Sequence, residues 1–105
     1  MLRWAGMLTS VKIFGFEPAI QAMLRLMLSK EPGLSVAGED ADEADVLLFR
    51  PEDPESISNL RIQFPIARFV AVLDWHRRSS FAGAPVDEYV DPLAGYESLV
   101  ASIRP

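Results

Sequence analysis

Eight acidic side chains fall within seventeen positions: Glu39, Asp40, Asp42, Glu43, Asp45, Glu52, Asp53 and Glu55. Carboxylate oxygens are the ligands of hard cations, so this cluster has the composition of a Ca²⁺ or Mg²⁺ site. It lacks the glycine-centred spacing of a calcium loop, and the plainer reading is a solvated acidic rim that includes helix N-caps. A second cluster, Trp75-His76-Arg77-Arg78, joins an aromatic ring to two arginines, the composition enriched where proteins bind one another. His76 is the one histidine and no cysteine is present, which excludes thiolate zinc sites, disulfides, cysteine nucleophiles and histidine-rich metal sites. His76 has no serine, aspartate or cysteine at an interpretable spacing, and Gly15-Phe16-Glu17-Pro18 offers no run of free amides for phosphate. No catalytic residue, no cofactor site and no metal site is therefore assigned.

These residues need a scaffold, and the 105-residue length with half of its residues hydrophobic suits one domain with its own core. Fifteen acidic against ten basic residues give a net charge of -5, which argues against direct nucleic-acid contact. The apolar runs Met23 to Leu28 and Ala67 to Leu73 fall far short of the ~20 residues of a membrane span. The start, Met1 to Ser10, has no continuous apolar segment of signal length, so a cytoplasmic location is expected, with residues 1–10 as an N-terminal arm and 11–105 as the domain. Met7 is a second candidate start.

Short β-rich runs alternate with segments of helical period, the pattern of an α/β sheet. Strands are predicted at Val11 to Phe16, Leu34 to Glu39, Asp45 to Phe49, Ala67 to Leu73 and Glu88 to Val90. The third and fourth are nearly continuous apolar runs, as parallel strands covered on both faces require. The first helix, Pro18 to Lys30, sets Ile20, Met23, Leu24, Met27 and Leu28 in one stripe, and Met23 and Met27 read as ordinary core beside the leucines. Asp53-Pro54-Glu55 starts a second helix with Ile57, Leu60 and Phe64 on one face. Leu93, Tyr96, Leu99, Val100 and Ile103 mark a third. The connection Asp40 to Ala44 is too short for a helix, and Asp74 to Asp87 holds a turn or two at most.

In this order the motifs resemble a response-regulator receiver domain, especially receivers that precede LuxR-type (NarL-family) DNA-binding domains. The resemblance is carried by Glu31-Pro-Gly-Leu-Ser-Val-Ala-Gly-Glu39, Asp45-Val-Leu-Leu-Phe49, Gly83-Ala84, Asp91-Pro92-Leu93 and Glu97-Ser-Leu-Val-Ala-Ser-Ile103, and it spans residues 11 to 104. It implies a flavodoxin-like (βα)5 fold of three layers with parallel order 2-1-3-4-5, the second and fourth helices shortened or missing. Five extended residues reach about 17 Å, just enough to run back along a short strand. The alternative at Asp40 to Ala44 is an antiparallel hairpin of the second and third strands.

The resemblance also locates a phosphorylation pocket, and this sequence departs from it at nearly every position. The family's acidic pair falls on Gly15-Phe16, with only Glu17 near; its phosphoacceptor aspartate falls on Arg50, its Ser/Thr on Asp74 and its lysine on Asp91. Arginine has no nucleophilic oxygen, and two added carboxylates oppose a phosphoryl anion. Arg50 either pairs with Asp74 or Asp91 across adjacent strand ends or stands as an exposed arginine at a strand end, pointing into water. The family's switch aromatic falls on Glu88, with Tyr89 one place later, so no switch role is carried over.

The expected function is a pseudo-receiver: a non-enzymatic signalling or transcription-regulatory domain acting by protein contact, through homodimerisation, without aspartyl phosphorylation. The expected interface is Trp75, Arg77, Arg78, Tyr89, Tyr96 and Val100, and a DNA-binding output domain or another signalling protein is a further expected partner. The alternative is a small-molecule sensor whose ligand sits in the vacated pocket at the strand ends. An enzyme on a flavodoxin-like fold is a third reading, with no nucleophile and base pair to support it.

Overall fold

A computed structural model of the chain describes residues 8–104. Strands β1 (Thr9–Phe14), β2 (Leu34–Val36), β3 (Val46–Phe49), β4 (Arg68–Val72) and β5 (Glu88–Val90) form one sheet, all neighbours parallel, in the order β2-β1-β3-β4-β5. Three α-helices accompany it, α1 (Pro18–Ser29), α2 (Pro54–Gln63) and α3 (Tyr96–Ile103), with 3-10 segments at Trp75–Phe81 and Pro92–Ala94. The expected strand order and the reduced helix count are both present. The first strand begins at Thr9 instead of Val11, so its start takes in the end of the expected arm; residues 1–7 of that arm, Met7 included, lie outside the described residues.

Side-chain alternation sorts the strands into two faces. Val11, Ile13, Val46, Leu48, Val70, Val72 and Val90 pack against Leu24 and Leu28 of α1 and Leu99 and Ile103 of α3. Leu47, Phe49, Phe69 and Ala71 pack against Ile57 and Leu60 of α2 and against Phe64 just after it, with Phe81 from the 3-10 segment. Thus β3 and β4 are buried on both faces, which is why they read as unbroken apolar runs. β1 differs. Its alternate residues Ser10, Lys12 and Phe14 are not part of the α2-side core, and only the end of α2, at Gln63, borders the hollows beside them.

The segment from β2 to β3 crosses that bare part of β1. Lys12 donates to the Glu39 carbonyl at 2.7 Å and lies 3.5 Å from that of Gly38. At the far end Asp45 accepts from the Ser10 amide at 2.8 Å, and the Asp45 amide donates to the Ser10 hydroxyl at 2.9 Å. A polar strand face thus satisfies the backbone of an extended crossover, and the hairpin alternative is excluded by the parallel register of β1 with both β2 and β3.

Two helix expectations change. α2 begins where Asp53 caps it, its carboxylate accepting from the Ser56 amide at 2.8 Å. α3, by contrast, starts only at Tyr96, because Pro92–Ala94 forms a separate 3-10 turn that leaves Leu93 almost wholly exposed. In α1, Leu24 and Leu28 are core, whereas Ile20 and Met23 are exposed and Met27 half-buried. The predicted apolar stripe is wider than the two-helix layer covers, so Met23 is not the core residue its spacing suggested.

Candidate functional site at the strand carboxyl ends

In an open parallel sheet the carboxyl ends of the strands are where ligands collect. Here β1 runs into Gly15, Phe16 and Glu17, β3 into Arg50, β4 into Leu73 and Asp74, and β5 into Asp91. The Arg50 amide donates to the Phe14 carbonyl at 3.1 Å, extending the β1–β3 ladder by one bond. Gly15 has φ +86°, and a Cβ placed on it would lie 2.8 Å from the Arg50 carbonyl oxygen. The two strand ends therefore meet backbone to backbone at Gly15, while Phe16, Glu17, Arg50 and Asp91 stay on the wall of an open groove. Phe16 packs against the core between α1 and α3.

The Arg50 guanidinium lies 3.9 Å from the Asp74 carboxylate, both about one third exposed. Of the two expected partners, Asp74 is the one that is reached. Asp91 is engaged elsewhere: its carboxylate accepts from the Leu93 amide at 2.8 Å and the Trp75 amide at 3.2 Å. It thereby caps the turn after β5 and ties it to the start of the 3-10 segment after β4. Glu17 stands at the N-cap of α1 without a side-chain capping bond. The pocket thus holds one loose ion pair and one capping aspartate, and no two carboxylates are joined there as a cation site would need. Among the described residues no group of three or more histidine, aspartate or glutamate side chains is placed to hold a metal ion.

Beside the strand ends lies a groove of about 540 Å³ between α1 and α3, lined by Ile20, Met23, Met27, Tyr96 and Leu99, with Arg50 and Asp91 at one end. The Tyr96 hydroxyl donates to Glu31 at 2.9 Å, and Glu31 also pairs with Arg104 at 3.2 Å. Burial, then the hydrogen bond and charge of Glu31, push the Tyr96 phenol up to about 12, against the lowering effect of Arg104.

The residues of the expected interface divide between the two faces of the sheet. Trp75 is 72% exposed. The Arg78 guanidinium lies 5.0 Å from the Trp75 ring centre and 5.4 Å from that of Tyr89, so it sits between the two rings. Arg78 Nε is buried with no hydrogen-bond partner among the described residues. Arg77 leans on Phe81 and donates to the Glu52 carbonyl at 3.1 Å. Tyr89 lies on this α2 side, its hydroxyl 3.4 Å from the Phe81 carbonyl. Tyr96 and Val100 do not join it. Tyr96 belongs to the α1–α3 side and Val100 is only 9% exposed, so the six residues expected to share one surface do not do so. The turn at Pro92–Ala94 carries the chain over the end of the sheet between β5 and α3, which places the two tyrosines on opposite faces.

The chain superposes on a two-component response regulator of the LuxR family from Aurantimonas sp. SI85-9A1 with a TM-score of 0.72 at 17% identity, over 91% of this chain and 82% of that one. The fold is flavodoxin-like, in the receiver form. A protein described as an adenylate cyclase from Rhodopirellula baltica shares it with a TM-score of 0.74 at 13% identity, over 91% of this chain and 84% of that chain. No protein-family model and no curated protein matches the sequence. Identities this low establish the receiver-like fold alone. No helix among the described residues is long and apolar enough to cross a membrane. Sequence reasoning set Met23 in the core, whereas Ala19, Ala22, Met23 and Leu26 are exposed on the outer face of α1. Their signal was present, since Arg25 is the one charged residue from Pro18 to Ser29.

Proposed function

We propose that this is a receiver-like regulatory domain, non-enzymatic, that acts by protein contact and without aspartyl phosphorylation. One observation carries the reading: Arg50 stands at the end of β3 and points its guanidinium at Asp74, with Gly15 and Phe16 at the end of β1. A phosphoryl acceptor at that strand end needs a carboxylate, and a metal that neutralises the transferred group needs further carboxylates beside it. An arginine supplies neither, and its charge is already directed at a neighbouring acid. Trp75, Arg78 and Tyr89 provide a rigid aromatic-cation stack in which Trp75 is presented to solvent, the kind of anchor that dominates protein interfaces. Its partner in this reading is a signalling or DNA-binding output module.

Incubation with Mg²⁺ and a small phosphodonor, read by intact mass, tests the proposal. The expected result is an unchanged mass under conditions that modify an active receiver domain run alongside. An adduct of one phosphoryl group, stable at neutral pH and localised to an aspartate at the strand ends, overturns it.

A further inference from the structure

The groove between α1 and α3 exists because a side chain that could fill it is turned away. Leu93 precedes Tyr96 at helical spacing, so a helix begun at Leu93 would set both side chains on one face, toward the groove. The chain forms a 3-10 turn over Pro92–Ala94 instead, and Leu93 is 93% exposed. Two features hold that turn: Pro92 at its start, and the Asp91 carboxylate accepting from the Leu93 amide at 2.8 Å. The hollow is therefore built into the fold, with Val72 and Val90 of the sheet as its floor. Its volume of about 540 Å³ falls within the roughly 300 to 1,000 Å³ of small-molecule sites.

The lining sets the chemistry of an occupant. Ile20, Met23, Met27 and Leu99 make an apolar wall in which the unbranched methionines adapt to the shape they meet. Ile20 and Met23 are 41% and 50% exposed, so an occupant buries apolar surface that now faces water. Charge is confined to the end at the strand termini. There the carboxylates of Glu17 and Asp91 share the wall with Arg50, whose guanidinium is aimed at a third carboxylate, that of Asp74, 3.9 Å away. Glu17 has neither a capping bond nor an ion pair among the described residues. Three carboxylates thus stand against one guanidinium. The amino ends of α1 and α3 add about half a positive charge each, which lessens the negative balance without reversing it. Phe16 and Tyr96 line the same groove, and aromatic faces also attract a cation.

We infer that this groove binds a small organic cation, a protonated amine on an apolar body, with the ammonium beside Glu17 and the body along Met23, Met27 and Leu99. The net charge of -5 draws such a cation toward the protein from a distance. A free anion of the same shape is opposed by Glu17, Asp74 and Asp91 together, because Arg50 is already directed at one of them. The inference goes beyond the functional reading and does not rest on the absence of phosphorylation.

Isothermal titration of the full chain at neutral pH and low salt tests the inference with three probes that share one apolar body: phenylbutylamine, phenylbutanol and phenylbutanoate. The amine should saturate a single site and bind about threefold more tightly than the alcohol, as a partly solvated charge pair allows, with the acid weakest. Glu17→Gln should abolish the advantage of the amine while leaving the alcohol unchanged, and Glu17→Lys should place the acid ahead of the amine. Glu17 makes no capping bond, so both variants should keep the wild-type circular dichroism. The Met23 and Met27 methyl signals should shift in the NMR spectrum as the amine is added. No saturable binding, an acid that binds as tightly as the amine, an unchanged order of probes in Glu17→Lys, or unshifted Met23 and Met27 methyls overturns the inference. None of these results bears on phosphorylation, so failure here is distinguishable from failure of the functional reading.

Discussion

Gly15 is where the fold is most exposed to a single methyl group. In Gly15→Ala the added Cβ meets two costs that the structure separates. The first is backbone: φ of +86° lies in the left-handed region, which costs a non-glycine residue about 1 to 2 kcal/mol. The second is contact: the Cβ would sit 2.8 Å from the Arg50 carbonyl oxygen, a main-chain atom of the residue whose amide is tied to Phe14, which cannot swing aside as a side chain could. Relief requires the strand ends to part, which weakens the Arg50 to Phe14 hydrogen bond, worth about 1 kcal/mol net. The sum is about 2 to 3 kcal/mol, a large share of the roughly 5 to 15 kcal/mol of a small domain. With a urea dependence of about 1 to 3 kcal/mol per molar, the unfolding midpoint should fall by about 1 to 2 M. Gly83 supplies the control, since it shares φ +86° but has no atom within 4 Å of its Cβ position. Gly83→Ala should therefore show the backbone cost alone. Equal losses at the two positions would refute the claim that the strand ends are in contact at Gly15.

Three further outcomes are expected. Arg61 donates to the Ala67 and Pro85 carbonyls and to Asp87 while stacking on Phe69 at 3.7 Å, so Arg61→Ala should cost about 2 to 3 kcal/mol in urea unfolding, and Arg61→Lys should recover little of it because a point charge cannot serve three acceptors and a ring. Tyr96 titrates in the unfolded chain near 10.0 and in the fold at about 12, so its stabilising contribution is complete below pH 10, falls as pH rises from 10 and is lost by 12; Tyr96→Phe should flatten that limb of the wild-type stability-against-pH curve. Lys12→Ala removes the amine that holds the Glu39 carbonyl, and amide exchange should quicken across residues 37–45 by about tenfold while β3 and β4 keep their protection.

The parts of the sequence that read correctly are those in which local pattern and burial coincide. Asp45 to Phe49 and Ala67 to Leu73 are apolar without interruption because helices cover both faces of the strands within them, and Asp53-Pro54 starts a helix because a carboxylate and a missing amide donor serve its first turn. β1 held a signal that was passed over. Its Ser10-Val11-Lys12-Ile13 alternation marks a strand with one bare face, which is where a receiver's second helix is absent and the loop over residues 37–45 crosses. The site was less legible. Arg50, Asp74 and Asp91 were assembled at one end of the sheet by the expected strand order, yet their spacing left open that Asp74 takes the arginine while Asp91 caps a turn.

The amino-acid sequence alone determined an acidic, cysteine-free α/β domain, because hydrophobic period and helix caps are local properties that each segment carries with it; the order 2-1-3-4-5 was implied by the family resemblance, and the parallel register of β1 with β2 and β3 decided it against a hairpin. Only the tertiary structure decided which faces are covered. Tyr89 and Tyr96 are seven positions apart and lie on opposite sides of the sheet, since the chain turns over its edge at Pro92–Ala94. Met23 and Leu24 are adjacent on one helix, one in solvent and one in the core, since a single layer of two helices buries a narrower stripe than α1 presents. Exposure depends on what lies across the gap, and a neighbour brought by folding leaves no mark in the local pattern.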